Sequence, residues 1–201
     1  MDNIAKLVRD RRSVRTYEVR PLGSEDMDKL SSFMERIENP YGIPVEFKLL
    51  DGKKQKLKCL VISGTELFIG AKAVRAPHME EAVGYSFEML VLYAQSLGLG
   101  AVWGGGTMDR AAFERAMDLA ENQRMPCMTP IGYPAQKMSV KESLMRKGVG
   151  ADKREPFGTL FFDGGFDKPL APEQAGALAQ PLELVRLAPS KPACVSRIGI
   201  N

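Results

Sequence analysis

Leu97-Gly98-Leu99-Gly100-Ala101-Val102-Trp103-Gly104-Gly105-Gly106 joins the end of a long helix to a strand, and the direction of that join shapes the reading of the whole chain. Upstream, Met79, Val83, Phe87, Leu90, Ala94 and Leu97 recur every three or four residues, which predicts a helix over residues 78–97. Further apolar residues surround that stripe, so the helix is a central one, packed against a sheet or a second subunit. Gly98 is placed to close it as a left-handed cap, where the missing Cβ removes the usual steric cost. Residues 99–103 then read as a strand, and Asp109 as the cap of a helix reaching Leu119.

Working outward, Ile4, Leu7 and Val8 lie on one face of a short helix over residues 3–11, after which residues 14–17 look extended. Ser24 is expected to cap a helix carrying Met27, Leu30, Phe33, Met34 and Ile37, with Glu25 and Asp26 favouring its dipole. Strands are predicted at residues 45–49, 59–62 and 67–71, and another ends in the turn Ile131-Gly132-Tyr133-Pro134. Lys53-Lys54-Gln55-Lys56-Leu57-Lys58 reads as a hairpin turn with a solvated edge strand whose lysines discourage edge pairing. Residues 135–172 are polar with short helical pieces, and Leu182, Leu184, Val185 and Leu187 mark a last helix. This alternation predicts an α+β fold, a central mainly antiparallel sheet flanked by helices, in one domain over residues 1–201.

Composition narrows the classes. At 201 residues, 44% hydrophobic and 26% charged, the chain can bury a core without staples. A net charge of +3, evenly spread, is too small to make nucleic acid the main partner. No apolar run approaches the length that spans a membrane, and the start lacks the pattern of a signal peptide, so cytoplasmic is the expected location. Three separated cysteines (Cys59, Cys127, Cys194) and one histidine argue against a disulfide framework or a metal site. His78 follows Pro77 at a helix start with no Ser or Cys partner, which points to a capping or surface role.

The glycine segment fails the dinucleotide fingerprint, because Trp103 stands where the third glycine of G-x-G-x-x-G belongs, and the fingerprint follows a strand rather than a helix. No G-x-x-x-x-G-K-[ST] occurs, which excludes a P-loop. What remains for Gly104-Gly105-Gly106 is backbone access: their N–H groups can approach a flat ring closely. Far upstream, Arg11-Arg12-Ser13-Val14-Arg15 gathers three guanidinium groups and a hydroxyl. Their planar forks match a doubly charged phosphate. Phosphate clamp and ring donors together read as a flavin mononucleotide (FMN) site, with backbone donors near N5 and O4 favouring the reduced ring.

Taken in order, Arg-Arg-Ser-Val-Arg, Leu97-Gly98-Leu99-Gly100, Trp103-Gly104-Gly105 and Ile131-Gly132-Tyr133-Pro134 resemble the nitroreductase family of FMN-dependent oxidoreductases. The nearest branch carries a late Ala-Pro-Ser, here Ala188-Pro189-Ser190. The resemblance implies a nitroreductase-like fold, a homodimer with FMN at the subunit interface, and no catalytic side chain beyond the flavin. It implies ping-pong chemistry, in which a hydride from NAD(P)H reduces the flavin and a nitroaromatic or quinone-like acceptor then takes the electrons. Arg11, Arg12, Ser13 and Arg15 would hold the phosphate and ribityl chain. Trp103, Gly104 and Gly105 would line the ring, and Pro189 and Ser190 would lead into a further flavin contact. Tyr85 and Glu88 fall where the family places its flavin-facing or subunit-facing surface.

After Ser190 the resemblance stops. The branch continues with Asn-x-Gln-Pro-Trp-Arg, whereas residues 191–201 read KPACVSRIGIN, an atypical tail expected from a frameshift or truncation. Loss of that segment would remove flavin contacts and expose apolar faces. Two alternatives follow: a flavin-binding remnant without turnover, or a basic surface that binds nucleic acid with strong salt dependence.

Overall fold

The computed structural model describes residues 3–148, 150, 153–188 and 198–200. Along the chain these form α1 (Ile4–Asp10), α2 (Ser24–Met34), β1 (Glu46–Asp51), β2 (Leu67–Val74), α3 (Met79–Ser96), α4 (Arg110–Ala116) and β3 (Gln123–Pro130). There follow α5 (Val140–Gly148), α6 (Phe157–Leu160), β4 (Phe161–Asp163), α7 (Ala179–Leu187) and β5 (Ile198–Ile200). The fold is α+β, and the residues gather into two compact units, Arg11–Glu142 and Asp2–Asp10 with Ser143–Asn201.

The first unit is built on an antiparallel sheet of order β1-β2-β3. β2 is buried along nearly its whole length, as expected of a continuous apolar run at the centre of a covered sheet. Its alternating side chains feed two cores. Ile69, Ala71 and Ala73 join α3, whose stripe Met79, Val83, Phe87, Leu90 and Ala94 is buried, and Leu30 of α2. Phe33 of α2 stacks on Tyr93 of α3 with ring centroids 3.9 Å apart. On the other face Phe68 joins Phe113, Met117, Met125 and Met128. There α4 lies so close to β2 that a Cβ at Gly70 would come within 2.5 Å of Met117 Sδ. Asp109 caps α4 as expected, accepting from Ala112 N–H at 3.2 Å, and Gly98 is left-handed at φ 76°.

Several local expectations are corrected. Ser24 is the first residue of α2 rather than its cap: Gly23 takes that position and no side chain caps the turn. Residues 59–62 form a turn rather than a strand, with Ile62 N–H bonded to Cys59 C=O and Leu60 exposed. Residues 53–56 are turn residues in a long connection, not an edge strand. Residues 99–103 run extended but pair by single rungs rather than a ladder.

Cys127, in β3, is 5% exposed, and burial pushes its thiol up to about 12. The thiolate is the reactive form. Cys127 is therefore expected to stay unmodified by iodoacetamide at pH 8 in the folded protein and to react on unfolding, which peptide mass spectrometry will read.

The second unit has its own core of Phe157, Phe161, Leu170 and Leu182. β4 pairs in parallel with β5, Phe161 opposite Ile198 and Asp163 opposite Ile200. Part of the atypical tail is thus strand, with Ile198 and Ile200 packed against that core. α7 lies beside α1.

Candidate functional site

The extended residues after Arg12 are fixed by their buried members. Val14 and Tyr17 are 5% and 3% exposed, and the backbone around them is hydrogen-bonded to neighbouring segments. Val14 N–H donates to Ala101 C=O at 3.0 Å, Tyr17 N–H to Ser63 C=O at 2.9 Å, and Ser63 N–H to Arg15 C=O at 3.0 Å. Glu18 N–H donates to Tyr133 C=O and Ala135 N–H to Thr16 C=O. Gly100 permits this approach: a Cβ there would lie 2.8 Å from Val14 Cγ1 and 3.1 Å from Pro134 Cγ. Ser13 therefore pairs in parallel with Ala101, and the arginine run lies alongside the glycine segment.

The glycine segment is held from its other side by β3. Val102 N–H donates to Thr129 Oγ1 at 3.0 Å. Gly104 and Met128 exchange both backbone bonds, at 2.8 and 2.9 Å. Two residues on, Pro126 has no N–H to continue the pairing, and β2–β3 register also breaks near it, between Ala71 and Ala73. At that point Arg110 bridges, donating from Nη1 to Met125 C=O at 2.9 Å and from Nη2 to Gly105 C=O at 3.2 Å.

The two stretches singled out in the sequence meet a third residue. Glu88 of α3 accepts from Arg11 Nε at 3.0 Å and from Trp103 Nε1 at 2.6 Å, one carboxylate oxygen for each. The Arg11 side chain is only 6% exposed. Trp103 packs edge-on against Phe87, ring centroids 4.5 Å apart, with a third of its surface open. Arg12 is exposed, Ser13 and Arg15 are half-buried, and Gly104 and Gly105 are half-buried. Pro189 and Ser190 lie outside the described residues. His78 is exposed and contacts Glu81, in keeping with a surface role.

Glu142 was not singled out in the sequence, yet it is a carboxylate only 2% exposed. It accepts from Thr16 Oγ1 at 2.6 Å and from Arg15 N–H at 3.3 Å, pinning the arginine run from a second side. Its signal was present in Ser139-Val140-Lys141-Glu142, the spacing of a capping box. Ser139 Oγ does accept from Glu142 N–H at 3.1 Å, but the glutamate turns to Thr16 instead of completing the box. Tyr17 donates to Val14 C=O at 2.7 Å. Burial, then the Glu142 carboxylate, push its phenol well above its ordinary value, so it remains a neutral donor.

Among the described residues no group of three or more His, Cys, Asp or Glu is placed to hold a metal ion, and no helix is long and apolar enough to cross a membrane. The arrangement offers instead cationic forks beside glycine amides and an indole.

Comparison with known proteins bears on the fold and the family. Solved structures share the fold, among them an FMN-dependent nitroreductase from Clostridium difficile R20291, 20% identical over 71% of this chain and 95% of its own, with a TM-score of 0.56. An oxidoreductase containing FMN is 16% identical over 80% of this chain and 91% of its own, at a TM-score of 0.63. Iodotyrosine deiodinase bound to FMN and 3-iodo-L-tyrosine is 16% identical over 68% of this chain and 92% of its own, at 0.55. At such identities the likeness is one of fold. No curated protein matches the sequence. A family model does, over residues 3–190, and with nearly the whole chain under that match the protein belongs to the family described as "Putative TM nitroreductase".

Proposed function

We propose that this chain is an FMN-dependent oxidoreductase that draws electrons from NAD(P)H and passes them to a small flat acceptor such as a nitroaromatic or a quinone. The observation that carries this reading is the pairing of Ser13 with Ala101, which sets the arginine run beside the glycine segment in a member of the nitroreductase family. The donor set fits the cofactor. Arg11, Arg12, Ser13 and Arg15 would take the phosphate and ribityl chain, where charge-assisted bonds are strongest. Trp103 and Gly105 would line the ring. Gly104 supports the segment from behind, since its own N–H is committed to Met128. Pro189 and Ser190 belong to the same proposal, as does the homodimer implied by the resemblance. When bound, FMN supplies the redox chemistry. The chain's own residues bind it, orient it and, through Phe87 and the Trp103 indole, present an apolar wall.

On this reading the chain needs no nucleophile or general base of its own, because the flavin carries the chemistry. The reading is tested by equilibrium dialysis of FMN against the protein, followed by NADPH consumption with and without a nitroaromatic or quinone. Saturable FMN uptake with acceptor-dependent NADPH oxidation is expected. FMN uptake with no oxidation of NADPH or NADH would contradict the enzymatic reading.

A further inference from the structure

The Arg110 bridge does more than hold a loop in place. All described peptide bonds are trans, and in a planar trans peptide the C=O and the following N–H point in opposite directions. Gly104 C=O accepts from Met128 N–H, so the N–H of Gly105 is turned away from β3. Gly105 C=O accepts from Arg110 Nη2, so the N–H of Gly106 is turned away from the guanidinium. Neither amide has an acceptor among the described residues. The first orientation is set by a backbone rung, whereas the only bond that holds Gly105 C=O among the described residues comes from one side chain, Arg110.

We propose that Arg110 is a positioning residue for the cofactor, aiming the Gly106 N–H, beside that of Gly105, at the ring edge that gains electron density on reduction. This rests on the FMN reading above. A planar fork suits the task, since two carbonyls, Met125 and Gly105, are bridged from separate nitrogens of one rigid group. Lysine, a single nitrogen on a flexible stem, fixes the pair less rigidly. A donor aimed at developing negative charge favours the reduced ring over the oxidised one. The footprint of Arg110 is therefore on the reduction potential of bound FMN and only weakly on the affinity for oxidised FMN.

The test uses the FMN-loaded full chain as wild type, Arg110→Met, Arg110→Lys and Glu114→Gln, with potentials read against a redox dye. Glu114 is the other partner of Arg110, at 3.5 Å on the helix surface, so Glu114→Gln removes an ion pair and leaves the bridge. Arg110→Met is expected to lower the preference for reduced over oxidised FMN about tenfold, the worth of one bond to a charged group, which is about 30 mV for a two-electron couple. Arg110→Lys is expected between Met and wild type, and Glu114→Gln at wild type. If Arg110→Met does not fold, the Arg110→Lys shift alone decides. An unchanged potential in the Arg110 variants, or an equal shift in Glu114→Gln, would overturn the assignment while leaving the FMN reading standing. A wild-type chain that takes up no FMN would overturn both.

Discussion

Phe87→Ala is expected to destabilise the Arg11–Glu142 unit by about 3–5 kcal/mol, the range for deleting a fully buried aromatic ring. Phe87 has no exposed surface, and it sits at the middle of the α3 stripe. It stacks on Phe47 of β1 and carries the Trp103 ring edge-on. Truncation therefore opens a cavity between helix and sheet and also removes the support beneath the indole. Urea denaturation should show a lower midpoint with an unchanged slope, and a shift under about 1 kcal/mol would mean that α3 is not packed as described. Tyr85, two residues earlier and half exposed, is the control: its truncation should cost well under 1 kcal/mol.

The double variant Arg11→Ala/Arg15→Ala is expected to weaken FMN binding at least ~100-fold, since each charge-assisted bond lost is worth about 1.5–3 kcal/mol. Glu88 engages only Nε of Arg11, which leaves the two terminal nitrogens of its fork for phosphate oxygens. Arg15 holds its strand through its backbone, by bonds to Ser63 and Glu142 that survive the substitution. The circular dichroism spectrum should therefore stay close to wild type while quenching of FMN fluorescence on titration is lost. Affinity within threefold of wild type, in a folded variant, would remove these residues from the phosphate site. Arg12→Ala, at an exposed position, should have the smaller effect.

What the sequence carried and what it withheld divide along physical lines. α3 was legible to within a residue because a helix of 18 residues repeats its apolar period several times. The Asp109 cap and the left-handed Gly98 were legible because each depends on one local residue type. The strand expected at residues 59–62 was misread because a short apolar run has no period to reveal its conformation. Leu60 proved exposed and Cys59 bridges singly to Met108. Single rungs such as Ser13 with Ala101 are invisible locally, since the partners lie far apart in sequence. Glu88 shows the same limit at the site. Its neighbours on α3 announce a core helix, but nothing local says that its two oxygens will join Arg11 to Trp103. Arg110 reads as an ordinary helix-start arginine until Pro126 is seen to end the pairing beside Gly105.

The central claim is tested most directly by the visible absorption spectrum of the purified protein after FMN is supplied during lysis, recorded without oxygen before and after NADPH. The account predicts a protein-bound flavin spectrum that bleaches on adding NADPH or NADH and returns when a nitroaromatic or quinone is admitted. A protein that retains no flavin, or one whose flavin stays oxidised with either nucleotide, would contradict it.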